Sequence, residues 1–161
     1  MTTPDVVSPE LAEQRREIVA MAREFVQREI TPHSAAWDRE RAFPREVLRQ
    51  LGDLGFFGMR VPEEHGGLGL DLLTYLMVLE EVAAGDAAVS ITLGVHNSLG
   101  CGMLLRHGTA EQQRQWLPRM ATGEAIAAFG LSEADAGSDP ASIRTTARRE
   151  GAGWVLEGIK S

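Results

Sequence analysis

Cysteine and basic clusters are scarce in this sequence of 161 residues. Its single cysteine cannot form an internal disulfide, and such sparing use is typical of a reducing compartment, so we expect a cytoplasmic protein. The 16 lysines and arginines stand against 23 acidic residues, a formal net charge of −7, and no basic run occurs. We therefore expect no nucleic-acid partner. Residues 1–5 carry neither a basic cluster nor an apolar stretch, so no export signal is expected.

Several catalytic signatures are missing as well. No Gly-x-Gly-x-x-Gly or Walker-type loop occurs, which removes support for a Rossmann or P-loop nucleotide site. No Gly-x-Ser-x-Gly segment occurs either, so a hydrolase nucleophile elbow is not expected. The four histidines lack close ligand spacing, and no second cysteine accompanies Cys101. A metal site, which needs three or four converging ligands, is therefore not predicted.

Charged residues are absent from one long stretch, Ala87 to Leu105, which has 19 residues. This length is close to that of a membrane span, but the stretch also contains three glycines and several polar side chains. A helix that is apolar on most sides packs among other helices. We therefore predict the buried central helix of a bundle, and no membrane partner.

The pattern of residues 1–123 predicts an α-helical domain. Ser8, followed by Pro9, is a good start for the first helix, and Pro32 should end or kink it. A second helix is predicted to begin near Pro44. Other helix starts are predicted at Asp71, Asp86 and the capping box Thr109–Gln112, and helix ends at Gly108 and Gly123. The helix after Asp71 places four residues on one apolar face: Leu72, Leu76, Leu79 and Ala83.

The pattern changes at Glu124. Ala125 to Leu131 is a short apolar run that predicts a buried strand, and the stretches Thr145–Arg149 and Trp154–Glu157 predict a hairpin. A hairpin alone is marginally stable in water. We therefore interpret residues 124–161 as the incomplete beginning of a second, β-rich domain. The predicted fold class is mainly α, a helical bundle followed by the first strands of a β-barrel-like domain.

The most informative segment is Phe-Gly-Leu-Ser-Glu-Ala-Asp-Ala-Gly-Ser-Asp (129–139). A predicted strand leads into a loop of small residues, where backbone N–H groups and hydroxyls are accessible at close range. Such donors suit the electron-rich edge of a flat heterocycle, whose carbonyl oxygens need hydrogen bonds. A plain turn of the same composition is the alternative at this point.

Four segments, taken in order, resemble the acyl-CoA dehydrogenase family over nearly the whole chain. They are Val-Pro-Glu-Glu-His-Gly-Gly-Leu-Gly (61–69), His-Gly-Thr-Ala-Glu-Gln-Gln-Arg-Gln-Trp-Leu-Pro (107–118), the 129–139 segment and the two hairpin strands with Gly-Ile-Lys (145–160). The resemblance is to the family's N-terminal helical domain and the opening of its middle β-domain. Asn97-Ser98-Leu99 and Leu131-Ser132-Glu133 are most similar to the short-chain branch.

The resemblance implies an FAD-dependent oxidoreductase of fatty acid β-oxidation. Such an enzyme dehydrogenates acyl-CoA thioesters at the α,β position, passes electrons to an electron-transferring flavoprotein, and is a homo-oligomer, a dimer or tetramer. The implied FAD contacts are Phe129, Gly130, Leu131, Ser132, Gly137 and Ser138. The implied substrate contacts are Ser138, Thr92, Val95, His96 and Leu99. For the last four residues, ordinary bundle core is the alternative.

The sequence departs from the family pattern in two ways. Ala134-Asp135 replaces the usual Pro-Gly, which removes a conformational constraint and adds a negative charge near a bound anion. The family's catalytic glutamate lies in a later, C-terminal domain, so we name no catalytic residue here. We expect these 161 residues alone to be inactive.

Two alternative functions stay open at this point. An acyl-CoA oxidase or a flavin-dependent monooxygenase of the same superfamily would share the fold but let oxygen reach the reduced flavin. A non-enzymatic helical interaction module would use residues 124–161 as a partner-binding hairpin.

Overall fold

The computed structural model describes residues 8–161. They fall into two compact units, a helical unit that ends at Ala127 and a smaller unit, Ala128–Ser161. The helices are α1 Pro9–Phe25, α2 Thr31–Glu40, α3 Arg45–Asp53, α4 Leu72–Gly85, α5 Ala87–Val95, α6 Gly102–His107 and α7 Ala110–Ala121. Two π-helical segments, Val26–Ile30 and His96–Cys101, join α1 to α2 and α5 to α6. Single 3₁₀ turns lie at Phe56–Gly58, Glu63–His65 and Pro140–Ser142, and the strands are β1 Thr146–Glu150 and β2 Gly153–Glu157.

The helix starts follow the predicted capping residues. The Ser8 hydroxyl accepts the Leu11 N–H at 3.2 Å, and an Asp86 carboxylate oxygen accepts the Val89 N–H at 2.9 Å. Thr109 and Gln112 form the reciprocal capping box at the start of α7. Each cap satisfies an N–H group that the first helical turn leaves without a partner.

Two predicted helix ends differ in detail. Pro32 lies in the first turn of α2, where no N–H donor is required, so the predicted end or kink falls before it, where α1 ends at Phe25. The π-helical segment Val26–Ile30 carries the chain into that turn. Gly108 does end α6, but with extended backbone (φ −72°, ψ 147°) rather than the left-handed conformation of a C′ glycine.

The core of the helical unit surrounds α4, which packs against both α1 and α5. Val19, Ala22 and Phe25 of α1 are buried together with Val78 and Val82 of α4. The apolar face predicted for α4 is not the face that is most buried. Leu72 and Leu76 are exposed. Because α4 is apolar on nearly every side, its periodicity alone does not show which face packs against the other helices. The buried residues of α4 are Thr74, Tyr75, Val78 and Val82.

The charge-poor stretch forms continuous helix over Ala87–His107, through α5, the π-helical segment and α6. It is less completely buried than predicted, since Ile91, Leu99 and Met103 are exposed. Length and composition alone would let this helix cross a membrane. That is weak support for a membrane span, since core helices of soluble proteins pass the same test.

The smaller unit is built around an antiparallel hairpin. Thr146 pairs with Glu157 and Glu150 with Gly153, so the predicted strands are confirmed to within one residue. The predicted strand at Ala125–Leu131 was wrong. This segment has no regular structure, and among residues 8–161 the only pair of strands is β1 with β2. Apolar composition favours an extended chain, but a strand also needs a hydrogen-bonded neighbour.

Candidate functional site

The loop over residues 129–138 contains a tight turn at its centre. Glu133 N–H donates to the Ala136 carbonyl at 2.7 Å, and Ala136 N–H donates to the Glu133 carbonyl at 3.3 Å. Ala134 and Asp135 are the two residues between them. Ala136 is buried beneath this turn, with 5% of its surface exposed. The loop is therefore closed by its own backbone at one position and open on either side.

The Glu133 carboxylate gathers hydrogen-bond donors from distant parts of the smaller unit. Oε2 accepts the Arg144 N–H at 2.7 Å, and Oε1 accepts the N–H and hydroxyl of Thr145 and the Lys160 ammonium, the last at 2.9 Å. The carboxylate-bearing side chain is only 9% exposed. The Thr145 hydroxyl, followed by the Arg144 N–H and Lys160, lowers the pKa of Glu133 to about 2. Glu133 is thus ionised throughout the neutral range.

The end of the chain holds the loop by its carbonyl groups. Lys160 Nζ donates to the Leu131 carbonyl at 2.9 Å, and the Ser161 N–H donates to the Ser132 carbonyl at 2.9 Å. The backbone carbonyls of Leu131 and Ser132 are therefore both hydrogen-bonded.

On either side of the Glu133–Ala136 bridge, the hydrogen-bond donors of the loop have no partner among residues 8–161. Within residues 8–161, no acceptor receives the N–H groups of the six predicted FAD contacts or the hydroxyls of Ser132 and Ser138. As whole residues, Phe129, Gly130 and Ser132 are exposed, and Leu131 and Gly137 are half-buried. A surface whose N–H and hydroxyl donors are free, and whose Leu131 and Ser132 carbonyls are already hydrogen-bonded, suits a ligand with acceptor atoms along one edge.

The substitution of Ala134-Asp135 for Pro-Gly is accommodated without backbone strain. Neither residue has a positive φ angle. The Asp135 carboxylate lies 3.2 Å from Arg144 Nη1, so a guanidinium of the same unit faces the additional negative charge. Both side chains are largely exposed, and water weakens this pair. The Glu133–Ala136 bridge closes the loop across these two residues.

The predicted substrate contacts on the central helix have different environments. Thr92 lines a groove of about 800 Å³ together with Trp37, Phe43 and Asp86. Val95 is half-buried, and Leu99 is 36% exposed. The π-helical segment His96–Cys101 starts directly after Val95 and adds a residue to the turn. The predicted spacing of i, i+3, i+4 and i+7 assumes an unbroken α-helix, so the residues do not share one face uniformly.

His96 is the one of these four that lies wholly in the core. It has 0% exposure, its Nε2 lies 3.1 Å from the Met120 carbonyl, and its Nδ1 accepts the Ala127 N–H at 3.0 Å. These contacts require the neutral tautomer with the proton on Nε2. Burial lowers the pKa of His96 to about 4. As a substrate contact His96 stays a prediction, while its contacts here tie the central helix to the chain at Ala127.

Sequence reasoning missed two residues that organise these regions. Glu133, which accepts four hydrogen bonds in the smaller unit, is not among the predicted site residues. Asn97 is 1% exposed, and its amide nitrogen donates to the Phe56 carbonyl at 2.9 Å. Its oxygen accepts the Arg60 N–H at 3.2 Å. An amide in the middle of a charge-free helix was the available signal, because a buried polar group requires partners.

No group of three or more metal-ligating side chains comes together in the described part of the chain. Cys101 is buried, with its Sγ 3.3 Å from His96 Nε2. Burial raises the pKa of this thiol to about 12, so it is not a nucleophile at neutral pH.

The family model for the acyl-CoA dehydrogenase N-terminal domain matches residues 12–124, well over half of the chain. The chain belongs to the acyl-CoA dehydrogenase family. The short-chain specific acyl-CoA dehydrogenase of Rattus norvegicus mitochondria is 40% identical over 154 residues, which are 96% of this chain and 37% of that relative.

Solved structures agree with this membership. A glutaryl-CoA dehydrogenase from Mycobacterium smegmatis in complex with FADH2 aligns with a TM-score of 0.86 and 38% identity, over 92% of this chain and 38% of that one. A chain in the structure of the electron transferring flavoprotein of Acidaminococcus fermentans aligns with a TM-score of 0.88 and 33% identity, over 97% of this chain and 40% of that one. The fold is that of the N-terminal region of acyl-CoA dehydrogenases, as predicted. This chain spans about two fifths of the lengths of these proteins.

Proposed function

We propose that this chain supplies the helical domain and one edge of the FAD site of an enzyme that dehydrogenates short acyl-CoA thioesters at the α,β position. The observation that carries the proposal is the loop over 129–138. On either side of its Glu133–Ala136 bridge, the N–H groups and two hydroxyls have no acceptor among residues 8–161, while the carbonyls of Leu131 and Ser132 are engaged. Similarity to a short-chain specific relative supports the choice of short acyl chains.

The donor set of the loop fits the pyrimidine edge of a flavin, which carries carbonyl oxygens and ring nitrogens that accept hydrogen bonds. Phe129, Leu131 and Ser132 would hold that edge, and Gly137 and Ser138 would lie beside the remainder of FAD. Bound FAD would supply the acceptor for the two electrons and the β-hydrogen removed from the substrate. Donors held at this edge favour the reduced ring, because they stabilise the negative charge that it gains.

Ser138 is also proposed to contact the pantetheine arm of the thioester, and Thr92, Val95 and Leu99 to line the acyl chain. Thr92 has the best support among the helix residues, because it borders a groove with apolar walls. Closure of such a site to water strengthens the hydrogen bonds that align the thioester with a base. No residue of this chain is proposed as that base.

We further propose an electron-transferring flavoprotein as the electron acceptor and a homo-oligomeric enzyme, a dimer or tetramer. Support for the acceptor comes from the solved structure of an electron transferring flavoprotein, one chain of which shares this fold. Support for the oligomer comes from family membership.

The proposal is tested with the full-length gene product. We expect a yellow protein whose flavin absorbance is bleached under anaerobic conditions by butyryl-CoA, and whose reoxidation is fast with an electron-transferring flavoprotein and slow with oxygen. Rapid oxygen uptake without anaerobic bleaching by any acyl-CoA would instead identify an oxidase or monooxygenase. A protein that takes up no flavin at all would contradict the enzyme proposal and favour an interaction module.

A further inference from the structure

The loop over 129–138 is not held by a β-ladder. Its one backbone bridge joins Glu133 to Ala136, and the nearest strands, β1 and β2, pair only with each other among the described residues. Yet the loop must keep its donors in fixed positions if it is to bind the edge of a rigid ring. Some other contact therefore has to set its conformation.

The hydrogen bonds of the Glu133 carboxylate can set the conformation of the loop. It joins three separate pieces of the smaller unit: the loop itself, the chain entering β1 at Arg144 and Thr145, and Lys160 beyond β2. Lys160 in turn binds the Leu131 carbonyl, so the ammonium bridges two points of the loop. Hydrogen bonds in which one partner is charged are stronger than neutral ones, and the Glu133 side chain that accepts these bonds is 9% exposed.

The chain is tightly packed beside the hydrogen bonds of Glu133, where Gly158 passes Thr145. A Cβ atom added at Gly158 would overlap the Thr145 side chain, reaching its Cβ at 2.7 Å. Glycine at this position lets the chain pass close to Thr145, whose hydroxyl donates to Glu133 at 2.5 Å.

We infer that Glu133 is a positioning residue for the FAD edge, which acts through Thr145, Arg144 and Lys160 to hold the donors of the loop outward. The inference rests on the proposed function, because it assumes that the loop over 129–138 binds the flavin. Glu133 has no direct contact with the ligand in this view. Four donors occupy its carboxylate, and the loop amides on either side of the Glu133–Ala136 bridge are the groups left to bind FAD.

The first test replaces Glu133 by glutamine in the full-length protein. Glu133→Gln preserves the size of the side chain but directs an amide NH₂ group at one of the donors. We expect the dissociation constant for FAD to rise roughly tenfold or more, because charge-assisted bonds are lost. We also expect a more negative midpoint potential of bound FAD and faster hydrogen exchange over residues 129–146, measured without FAD by mass spectrometry.

Glu157→Gln is the matched control. Glu157 lies in β2 of the same unit, is exposed, and makes no ion pair or side-chain hydrogen bond with the described residues. The same chemical change there should leave FAD affinity, midpoint potential and exchange at their wild-type values.

A second, milder pair of variants keeps the test decisive if Glu133→Gln does not fold. Thr145→Val removes the hydroxyl that donates to Glu133 without changing the shape of the side chain, whereas Thr145→Ser keeps the hydroxyl. We expect weaker FAD binding and a more negative potential for Thr145→Val, and values close to wild type for Thr145→Ser.

The results separate a positioning role from a merely structural one. A Glu133→Gln protein that melts at a lower temperature but binds FAD with wild-type affinity and potential would overturn the inference. Wild-type exchange over residues 129–146 in that variant would overturn it too. If the wild-type protein itself takes up no FAD, the proposed function fails, and faster exchange in Glu133→Gln would still establish that this carboxylate holds the loop.

Discussion

Ser132 has the clearest individual role among the predicted FAD contacts, because its carbonyl is engaged by the Ser161 N–H while its hydroxyl has no partner in residues 8–161. Ser132→Ala in the full-length enzyme should weaken FAD binding by about 1 kcal/mol, roughly a fivefold rise in the dissociation constant. Ser98→Ala is the control, since that hydroxyl bonds to the Gly94 carbonyl of its own helix. Unchanged FAD affinity and midpoint potential in Ser132→Ala would argue against a contact at the flavin edge.

His96 predicts a specific pH dependence of stability. Its pKa is lowered by burial to about 4 in the folded chain, against 6.5 for the ordinary group. Between these values the unfolded chain binds a proton that the folded chain does not, so the free energy of unfolding rises with pH across this window. The contribution is complete above pH 6.5, and on the order of 3 kcal/mol is lost as the pH falls to 4.

This dependence can be measured by urea unfolding at pH 4.5 and 7.0. His96→Gln removes the titrating group, and the difference between the two pH values should shrink accordingly. His107→Gln, at an exposed position of α6, serves as the control and should keep the wild-type difference. An equal pH response in all three proteins would show that His96 does not remain neutral in the folded chain.

At the level of single elements, the N-terminal caps were the most predictable features. Capping depends on a short side chain and the next three N–H groups, so the information is local. Asp86 does more than cap α5, because its Oδ2 accepts the Ser34 hydroxyl of α2 at 2.6 Å. This second contact joins two helices that are far apart in the sequence and could not be predicted from either one.

Asp86→Ala should lower the free energy of unfolding by about 1 to 2 kcal/mol, because it leaves the Val89 N–H without its cap and the Ser34 hydroxyl without its acceptor. Asp86→Asn keeps an oxygen for the cap and should cost much less. The measurement is urea denaturation of the two variants beside the wild type. Equal stabilities of the alanine and asparagine variants would show that the cap contributes little here.

The element-level errors have a common cause. The buried face of α4 could not be chosen because leucines occupy both sides, and Thr74 and Tyr75 pack inward while Leu72 and Leu76 face outward. The spacing that grouped Thr92 with Leu99 assumed α-helical turns, and the π-helical segment changes the turn. Both outcomes depend on neighbouring elements rather than on the periodicity of one helix.

At the scale of the whole molecule, the two units should differ in stability. The helical unit has a large shared core, whereas Trp154 and Leu156 of the hairpin are 67% and 73% exposed. A two-stranded hairpin with so little burial is marginal. In the 161-residue chain we therefore expect the amides of β1 and β2 to exchange with solvent far faster than those of Val78 and Val82 in α4.

Hydrogen exchange followed by mass spectrometry measures this contrast directly. Full-length enzyme with bound FAD is the comparison, because the loop and hairpin should be protected there by the contacts that the proposed function requires. Similar protection of β1, β2 and α4 in the 161-residue chain would mean that the smaller unit is stabilised by more than its hairpin.

The sequence by itself determined the helix starts, the hairpin and the resemblance that led to the family, because caps, turns and ordered motifs are encoded by neighbouring residues. Only the tertiary structure decided that His96 lies in the core and that Glu133 binds Thr145 and Lys160. The physical reason is that a buried side chain satisfies its hydrogen bonds with whichever groups the fold brings to it. Those partners lie up to 31 residues away along the chain, as between His96 and Ala127, beyond the reach of any local pattern.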